Sequence, residues 1–190
     1  AQIANGSLWE TLGMQKELPM NLEAGPRGSD IVAALKQAGV GHVAALPDIT
    51  TSAGLLWPLS EDRELHLIRL CKEDEGVSIC TGLAFCEKRS VLLMQQTGFF
   101  DSINSIRAIG VEYAQPLCML IGLLGKDPDR APINSNHYGV RIVEPILDAM
   151  GIDRILLEST KDVDLLAPAI EHAYETSRPL AALIGRTVQP

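Results

Sequence analysis

Six short apolar runs alternate with segments of helical character, and this alternation constrains the fold more than any other feature of the sequence. The runs are residues 42–46, 65–70, 90–94, 116–122, 154–157 and 178–184. Helices are predicted over residues 31–37, 75–85, 101–109, 140–150 and 162–175. Continuous apolar strands that alternate with helices are typical of a parallel sheet covered on both faces. We therefore predict an α/β three-layer sandwich with a mostly parallel six-stranded sheet.

The sequence also predicts where the first helix begins and ends and how many domains the chain forms. Ser29 or Asp30 is expected to cap the first helix, and Gly39 is expected to end it. Gly151 is expected to end the helix over residues 140–150. The 190 residues, 46% of them hydrophobic, suit one domain, which is predicted over residues 28–190. Residues 1–27 are predicted to form a flexible arm, partly of non-native origin.

Charge and cysteine usage exclude several classes of function. The net charge of -8 argues against nucleic-acid binding, which needs clustered Lys and Arg, and no apolar run is long enough to span a membrane.

The cysteines are Cys71, Cys80, Cys86 and Cys118, with no CxxC pair and no His at zinc-ligand spacing. Buried free thiols in a reducing cytoplasm are expected, with disulfides or a metal site as the alternatives. We predict no metal ligands in this chain.

The carboxyl ends of the predicted strands locate the candidate site. Ligands on open parallel sheets bind at the carboxyl ends of the strands. Here those ends are residues 47–48, 70–73, 95–98 and 122–125, and residues 95–98 are expected to form a turn. Four polar or glycine-bearing segments are therefore expected to converge on one edge of the sheet.

One of these segments leads an acidic cluster into an apolar helix. Glu73, Asp74 and Glu75 directly precede an uncharged run that ends at residues 87–89. Burial raises the pKa of a carboxyl group, which suits one that shares a proton with a ligand. The alternative is that the acids only stabilise the positive end of the helix.

Several common catalytic motifs are missing from the sequence. It contains no G-x-G-x-x-G, no G-x-x-x-x-G-K-[ST] and no G-x-S-x-G. This argues against a dinucleotide site, a P-loop and an α/β-hydrolase nucleophile. An α/β layer without self-contained chemistry suggests that another chain supplies part of the site.

The motifs that are present resemble a known family. The run EDEGVSICTG at residues 73–82, Lys88-Arg89 and the strand end MQQTG at residues 94–98 resemble the pyrimidine-binding domain of thiamine diphosphate decarboxylases. Within that family the sequence is most similar to sulfopyruvate and phosphonopyruvate decarboxylases. It departs from the family where Gln96-Thr97 replaces Asn-Ser and where Ile49 replaces Ser. The diphosphate-binding G-D-G motif is absent.

The resemblance implies a cofactor and a partner. Thiamine diphosphate is the expected cofactor, with Mg²⁺ bound by a beta subunit in a hetero-oligomer such as α2β2 or larger. Glu73, nine residues before Gly82 as in the family, is expected to bond N1′ of the aminopyrimidine; Glu75 is the alternative. The residues expected to contact the cofactor are Glu73, Gln95, Gln96, Thr97, Gly98 and Phe99. The alternatives are ordinary turn contacts for Gln95 and Gln96, and packing in the core or a subunit interface for Phe99.

The resemblance also implies a small anionic 2-oxoacid substrate. 3-Sulfopyruvate, decarboxylated to sulfoacetaldehyde, is the expected substrate, and a phosphonopyruvate decarboxylase, another carboligase or synthase and a non-catalytic assembly domain are the alternatives. His137 is expected to protonate the product or bind the anion, although a surface loop histidine is the other interpretation. Arg107 is a further candidate anion ligand. The predicted substrate-binding residues are Pro47, Asp48, Thr50, Thr51, Gln96, His137 and Arg141. For Thr50 and Thr51, capping of the helix that follows is the other interpretation.

Overall fold

The described part of the chain begins inside the predicted arm. The structure, a computed structural model, describes residues 25–190, so the first 24 residues of that arm lie outside the described part. The next residues pair with the end of the chain: Arg27 forms a parallel bridge with Gln189, whose N–H donates to the carbonyl oxygen of Pro26 at 2.9 Å. Residues 25–27 are therefore part of the folded domain.

A six-stranded sheet forms the centre of the domain. The strands are β1 (His42–Ala45), β2 (His66–Arg69), β3 (Ser90–Gln95), β4 (Cys118–Gly122), β5 (Asp153–Leu157) and β6 (Leu180–Ile184). Their order is β2-β1-β3-β4-β6-β5, and every neighbouring pair is parallel. The predicted α/β fold with a six-stranded sheet is confirmed.

Helical segments connect the strands. The α-helices are α1 (Gly28–Gln37), α2 (Trp57–Glu61), α3 (Glu73–Phe85), α4 (Gln96–Asp101), α5 (Ile103–Ser105), α6 (Tyr138–Arg141), α7 (Val143–Met150) and α8 (Leu166–Thr176). Ser52–Leu56 and Ile106–Glu112 are π-helical, and Pro132–Asn134 and Thr160–Leu165 are 3₁₀-helical. No helix among residues 25–190 is long and apolar enough to cross a membrane.

The two faces of the sheet bury two separate apolar layers. Successive side chains of a strand point to opposite faces, so Val91 and Leu93 of β3 enter one layer and Leu92 and Met94 enter the other. The first layer includes residues of α1, α2 and α8, and the second includes residues of α3, α4 and α7. This arrangement is the predicted three-layer sandwich, with helices on both faces.

Several local predictions were wrong. Ser29 and Asp30 do not cap α1, because Arg27 occupies the N-cap position and both residues lie inside the helix. Residues 95–98 do not form a turn, since α4 begins at Gln96 directly after β3. The helix predicted over residues 101–109 is divided among α4, α5 and the second π-helix. A helix does follow Thr50 and Thr51, over residues 52–61, and Thr51 occupies its N-cap position without a capping side-chain hydrogen bond.

Not all cysteines are buried, contrary to the sequence-based expectation. Cys80 and Cys118 are buried in the two apolar layers, whereas Cys71 and Cys86 are exposed next to the two ends of α3. All four are free thiols. Burial raises the pKa of Cys80 to about 11 and raises that of Cys118 still further. The two buried thiols therefore stay protonated and act as small apolar side chains.

Candidate functional site at the carboxyl edge of the sheet

The four segments predicted to converge lie on one edge of the sheet. Strands β2, β1, β3 and β4 are consecutive neighbours, so their carboxyl ends form a continuous row. The Gln96 amide joins the ends of β3 and β4, because its Nε2 donates to the carbonyl oxygen of Leu124 and its Oε1 accepts from the Leu124 N–H, both at 2.9 Å. The loop after β1 touches the end of β4 as well: a Cβ on Gly122 would lie 3.1 Å from Oδ1 of Asp48.

Glu73 lies in this row at the first position of α3. Its side chain is half-buried and crosses the backbone of Gly98, where a Cβ would lie 2.3 Å from Cγ of Glu73 and 2.4 Å from its Oε1. Only glycine at position 98 leaves room for this carboxyl group. The structure therefore brings Glu73 and Gly98, two predicted site residues, into direct contact.

The three acids at the start of α3 have different surroundings. Glu75 accepts a hydrogen bond from the backbone N–H of Cys71 at 3.1 Å. Asp74 lies 3.8 Å from the ammonium group of Lys72. Glu73 makes no hydrogen bond or ion pair with any residue among 25–190. Within this part of the chain, Glu73 is therefore the acid of the three whose carboxyl oxygens remain available to a ligand.

The neighbouring residues of α4 have mostly structural contacts. Gln96 is buried, and its amide is used by Leu124 as described above. Gln95 donates from Nε2 to Oγ1 of the exposed Thr97 at 3.1 Å. Phe99 has no exposed surface and packs in the second apolar layer. A cofactor at this edge would meet the side chains of Gln95 and Thr97, and Phe99 only through its backbone.

The loop after β1 is built around Asp48. Its Oδ1 accepts the backbone N–H of Thr50 at 2.6 Å and that of Thr51 at 2.9 Å, and its Oδ2 accepts the Thr51 hydroxyl. Asp48, Thr50 and Thr51 are all buried. Pro47 and Ile49 are exposed, Ile49 to 75%. In this loop the predicted substrate ligands Asp48, Thr50 and Thr51 form the turn, and Pro47 and Ile49 face the solvent.

The loop after β4 carries His137 back to the same edge. The imidazole packs on Gly125, which has φ of 83° and whose Cβ would lie 2.8 Å from Nδ1 and Cε1 of His137. The ring nitrogens have no hydrogen-bond partner among residues 25–190. Arg141 donates from Nη1 to the carbonyl oxygens of Ser135 at 3.0 Å and Asn136 at 3.2 Å. Arg141 therefore stabilises this loop, whereas the imidazole of His137 has no polar partner in the described part of the chain.

Two other candidate features lie apart from these contacts. Arg107, in the second π-helix, bonds Glu112 and Asn104, and all three side chains are exposed. Among residues 25–190, no group of three or more His, Cys, Asp or Glu residues is arranged to hold a metal ion.

Sequence reasoning missed two charged residues of the loop after β4. Asp127 accepts three hydrogen bonds from Ser135 and Asn136, and these bonds lower the pKa of its carboxyl group to about 2. Lys126 has a fully buried side chain that pairs with Glu158 at the end of β5. The Asp-Pro pair at residues 127–128 indicated a turn, but nothing in the spacing of the sequence predicted these distant partners.

Comparison with known proteins agrees with the sequence analysis. No family model matches the chain. It is 29% identical over 160 residues to the sulfopyruvate decarboxylase of Methanosarcina acetivorans, a match that covers 83% of this chain and 40% of that protein. It is 27% identical over 159 residues to the sulfopyruvate decarboxylase subunit alpha of Methanocaldococcus jannaschii, covering 83% of this chain and 92% of that one. The chain resembles the sulfopyruvate decarboxylases.

A third relative supports the same resemblance. The sulfopyruvate decarboxylase subunit alpha of Methanococcus maripaludis is 28% identical over 115 residues, which cover 60% of this chain and 68% of that subunit. The predicted similarity to sulfopyruvate decarboxylase is confirmed, and the all-parallel α/β fold is consistent with the thiamine diphosphate-binding fold. The chain spans less than half the length of the M. acetivorans protein but nearly all of the M. jannaschii subunit.

Proposed function

We propose that this chain is the alpha, pyrimidine-binding subunit of a thiamine diphosphate-dependent decarboxylase that converts 3-sulfopyruvate to sulfoacetaldehyde and CO₂. The observation that carries the proposal is the match to the M. jannaschii alpha subunit, which extends over 92% of that protein. The position of Glu73 at the carboxyl edge supports it independently, because ligands of parallel sheets bind at this edge.

The surroundings of Glu73 fit the pyrimidine end of the cofactor. Its carboxyl group is half-buried, lies across Gly98 and has no partner among residues 25–190. When protonated, such a carboxyl group donates a hydrogen bond to N1′ of the aminopyrimidine and can pass that proton to the ring nitrogen and take it back. When bound, thiamine diphosphate supplies a thiazolium ring that accepts the electron pair left by the departing CO₂. Gln95, Thr97 and Gly98 form the adjacent wall of the site.

His137 and the exposed residues of the loop after β1 would face the substrate. The imidazole of His137 is exposed and its nitrogens are unpaired among residues 25–190. An imidazole can donate a proton to the product carbon, or bond an anionic oxygen when protonated. We assign His137 these roles and place Pro47 at the rim of the site. The loops and strand ends that form the site are supported by Asp48, Thr50, Thr51, Gln96 and Arg141.

A partner completes the site in this proposal. The sequence has no G-D-G motif, so a beta subunit is expected to bind the diphosphate and its Mg²⁺, in an assembly such as α2β2. Several relatives are named as alpha subunits, which supports a divided enzyme. The four free thiols suit a reducing compartment such as the cytoplasm.

Coexpression with a chain that carries the G-D-G motif tests this function. The assembled protein is expected to release CO₂ from 3-sulfopyruvate only when thiamine diphosphate and Mg²⁺ are present. Glu73→Gln should lower kcat by about 100-fold or more. Glu75→Gln is the matched control and should leave kcat within about twofold, because a glutamine oxygen can still accept the bond from Cys71.

Three outcomes would overturn parts of the proposal. Absence of CO₂ release in the assembled protein would favour a non-catalytic assembly role. Faster turnover of phosphonopyruvate than of 3-sulfopyruvate would contradict the substrate. Equal rates for Glu73→Gln and the unmodified protein would contradict the role of this acid.

Two glycine substitutions test the placement of Glu73. Gly98→Ala puts a methyl group where the Glu73 side chain lies, so activity should fall about as far as in Glu73→Gln while far-ultraviolet circular dichroism is unchanged. Gly82→Ala is the control, because nothing lies within 4 Å of its added Cβ and the site is an exposed helix position. It should retain activity and gain about 0.5–1 kcal/mol of stability. Full activity of Gly98→Ala would show that the observed position of Glu73 is not needed.

A further inference from the structure

The loop between β4 and α6 is anchored firmly at its first half. The Gln96 amide binds both backbone groups of Leu124. The buried ammonium group of Lys126 pairs with Glu158. Nη2 of Arg186 donates to the carbonyl oxygen of Pro128 at 2.9 Å. Residues 124–128 are thereby attached to the ends of β3, β5 and β6, and they provide a fixed base for the rest of the loop.

Asp127, on this fixed base, binds the far end of the loop. Its Oδ2 accepts the Ser135 hydroxyl and the Asn136 backbone N–H, both at 2.7 Å. Its Oδ1 accepts Nδ2 of Asn136 at 2.9 Å. These bonds span eight and nine residues of sequence. Hydrogen bonds to an ionised carboxylate are among the stronger ones in proteins, and several on one group define a single geometry.

The bonds of Asp127 extend to His137. The backbone N–H of His137 donates to Oγ of Ser135 at 3.2 Å, and the same hydroxyl donates to Asp127. Asn136, which makes two of its hydrogen bonds with Asp127, directly precedes His137 in the chain. The imidazole then packs on Gly125, which lies two residues before Asp127. The carboxylate is therefore connected to His137 through the two residues that directly precede it.

We propose that Asp127 is a positioning residue that fixes Ser135 and Asn136, and through them holds the His137 imidazole against Gly125 at the carboxyl edge. The low pKa of Asp127, about 2, keeps its carboxylate ionised at any pH near neutrality. The placement of the ring is a property of this chain alone. Its effect on catalysis rests on the function proposed above.

The chain offers a matched control for this residue. Asp129 is exposed, lies in the same loop and makes no hydrogen bond or ion pair among residues 25–190. Asp129→Ala and Asp127→Ala change the net charge equally, so a difference between them reports the hydrogen bonds of Asp127.

Nuclear magnetic resonance of the 190-residue chain tests the placement without any need for activity. In Asp127→Ala the Asn136 amide should exchange with solvent at least about tenfold faster, and the His137 ring resonances should shift. In Asp129→Ala both should match the unmodified protein. Unchanged Asn136 exchange and unchanged His137 resonances in a folded Asp127→Ala protein would overturn the proposal.

Kinetics of the enzyme assembled with its partner test the consequence. Asp127→Ala should lower kcat about tenfold, because a displaced catalytic group acts less efficiently. In a His137→Ala background the same substitution should change kcat by less than about twofold. An equal loss in both backgrounds would mean that Asp127 does not act through His137. If the unmodified assembly is inactive, the proposed function fails and the resonance measurements still decide the placement.

Discussion

Two loops at the carboxyl edge are each held together by one aspartate. The two aspartates differ in how far along the sequence their hydrogen-bond partners lie. Asp48, after β1, binds the backbone of residues two and three positions later. Asp127, after β4, binds residues eight and nine positions later. Asp48 is 7% exposed, whereas the Asp127 carboxylate lies nearer the surface.

The two loops therefore contribute differently to the protein. The Asp48 turn supports other backbone: the carbonyl oxygen of Thr50 accepts the N–H of Val188, and the turn packs on Gly122. The Asp127 loop ends at His137, a side chain with unpaired nitrogens among residues 25–190. The first aspartate therefore stabilises the fold, and the second fixes the geometry of one candidate catalytic group.

The largest expected difference is in stability. Asp48→Ala leaves the buried N–H groups of Thr50 and Thr51 without their acceptor, so the free energy of unfolding should fall by about 2–4 kcal/mol. Asp127→Ala should cost clearly less, because water can replace the carboxylate near the surface. Urea unfolding of the two variants measures both values. A larger loss for Asp127→Ala would reverse the comparison.

Two glycines provide a second, smaller contrast. The Cβ of Gly122→Ala would lie 3.1 Å from Oδ1 of Asp48 and from Cβ of Thr50, which are held in a buried turn. Crowding of this kind should cost about 1–3 kcal/mol. Gly125→Ala places a side chain at φ of 83°, at a cost of about 1–2 kcal/mol, and its Cβ displaces the exposed His137 ring.

The readouts of these two variants differ. Gly122→Ala should lower the melting temperature and leave the His137 resonances unchanged. Gly125→Ala should shift those resonances as well as lower the melting temperature. If both variants moved the His137 resonances equally, the two loops would be one coupled unit.

The smallest expected effect is a dependence on acid pH. Hydrogen bonds lower the pKa of Asp127 from 3.8 to about 2. The contribution of its carboxylate to stability is thus fully present above about pH 4 and is lost as the pH falls through about 2. The Asn136 amide resonance should titrate with a midpoint near 2, and Asp127→Asn should abolish this titration. A midpoint near 4 would show that the bonds to Ser135 and Asn136 do not persist in solution.

Much of the fold could be predicted because strands and helices have local signatures. The apolar runs placed all six strands, and Gly39 and Gly151, with φ of 72° and 66°, follow the helices that they were expected to end. The start of α1 was wrong, because Ser29 and Asp30 are common capping residues and packing chose Arg27. The start of α4 was missed, because Gln96-Thr97-Gly98 has the composition of a turn and only the contacts with α3 and Leu124 favour a helix.

The candidate site likewise has features that could be predicted from the sequence and contacts that depend on tertiary packing. The acids before α3, the strand ends and the resemblance to decarboxylases were readable in order along the chain. The sequence alone could not establish that Glu75 bonds Cys71 while Glu73 crosses Gly98, since these contacts depend on how α3 and α4 pack.

The α/β class, the edge at which polar segments meet and the family that the chain resembles could all be predicted from the sequence, because apolar spacing and short motifs are local properties. Which carboxylates have hydrogen-bond partners depends on the folded structure. Asp48 closes its own turn, Asp127 binds Ser135 and Asn136 across the loop, and Glu73 has no partner among residues 25–190. The physical reason is that hydrogen bonds form between groups that folding brings within about 3 Å, whatever their separation along the chain.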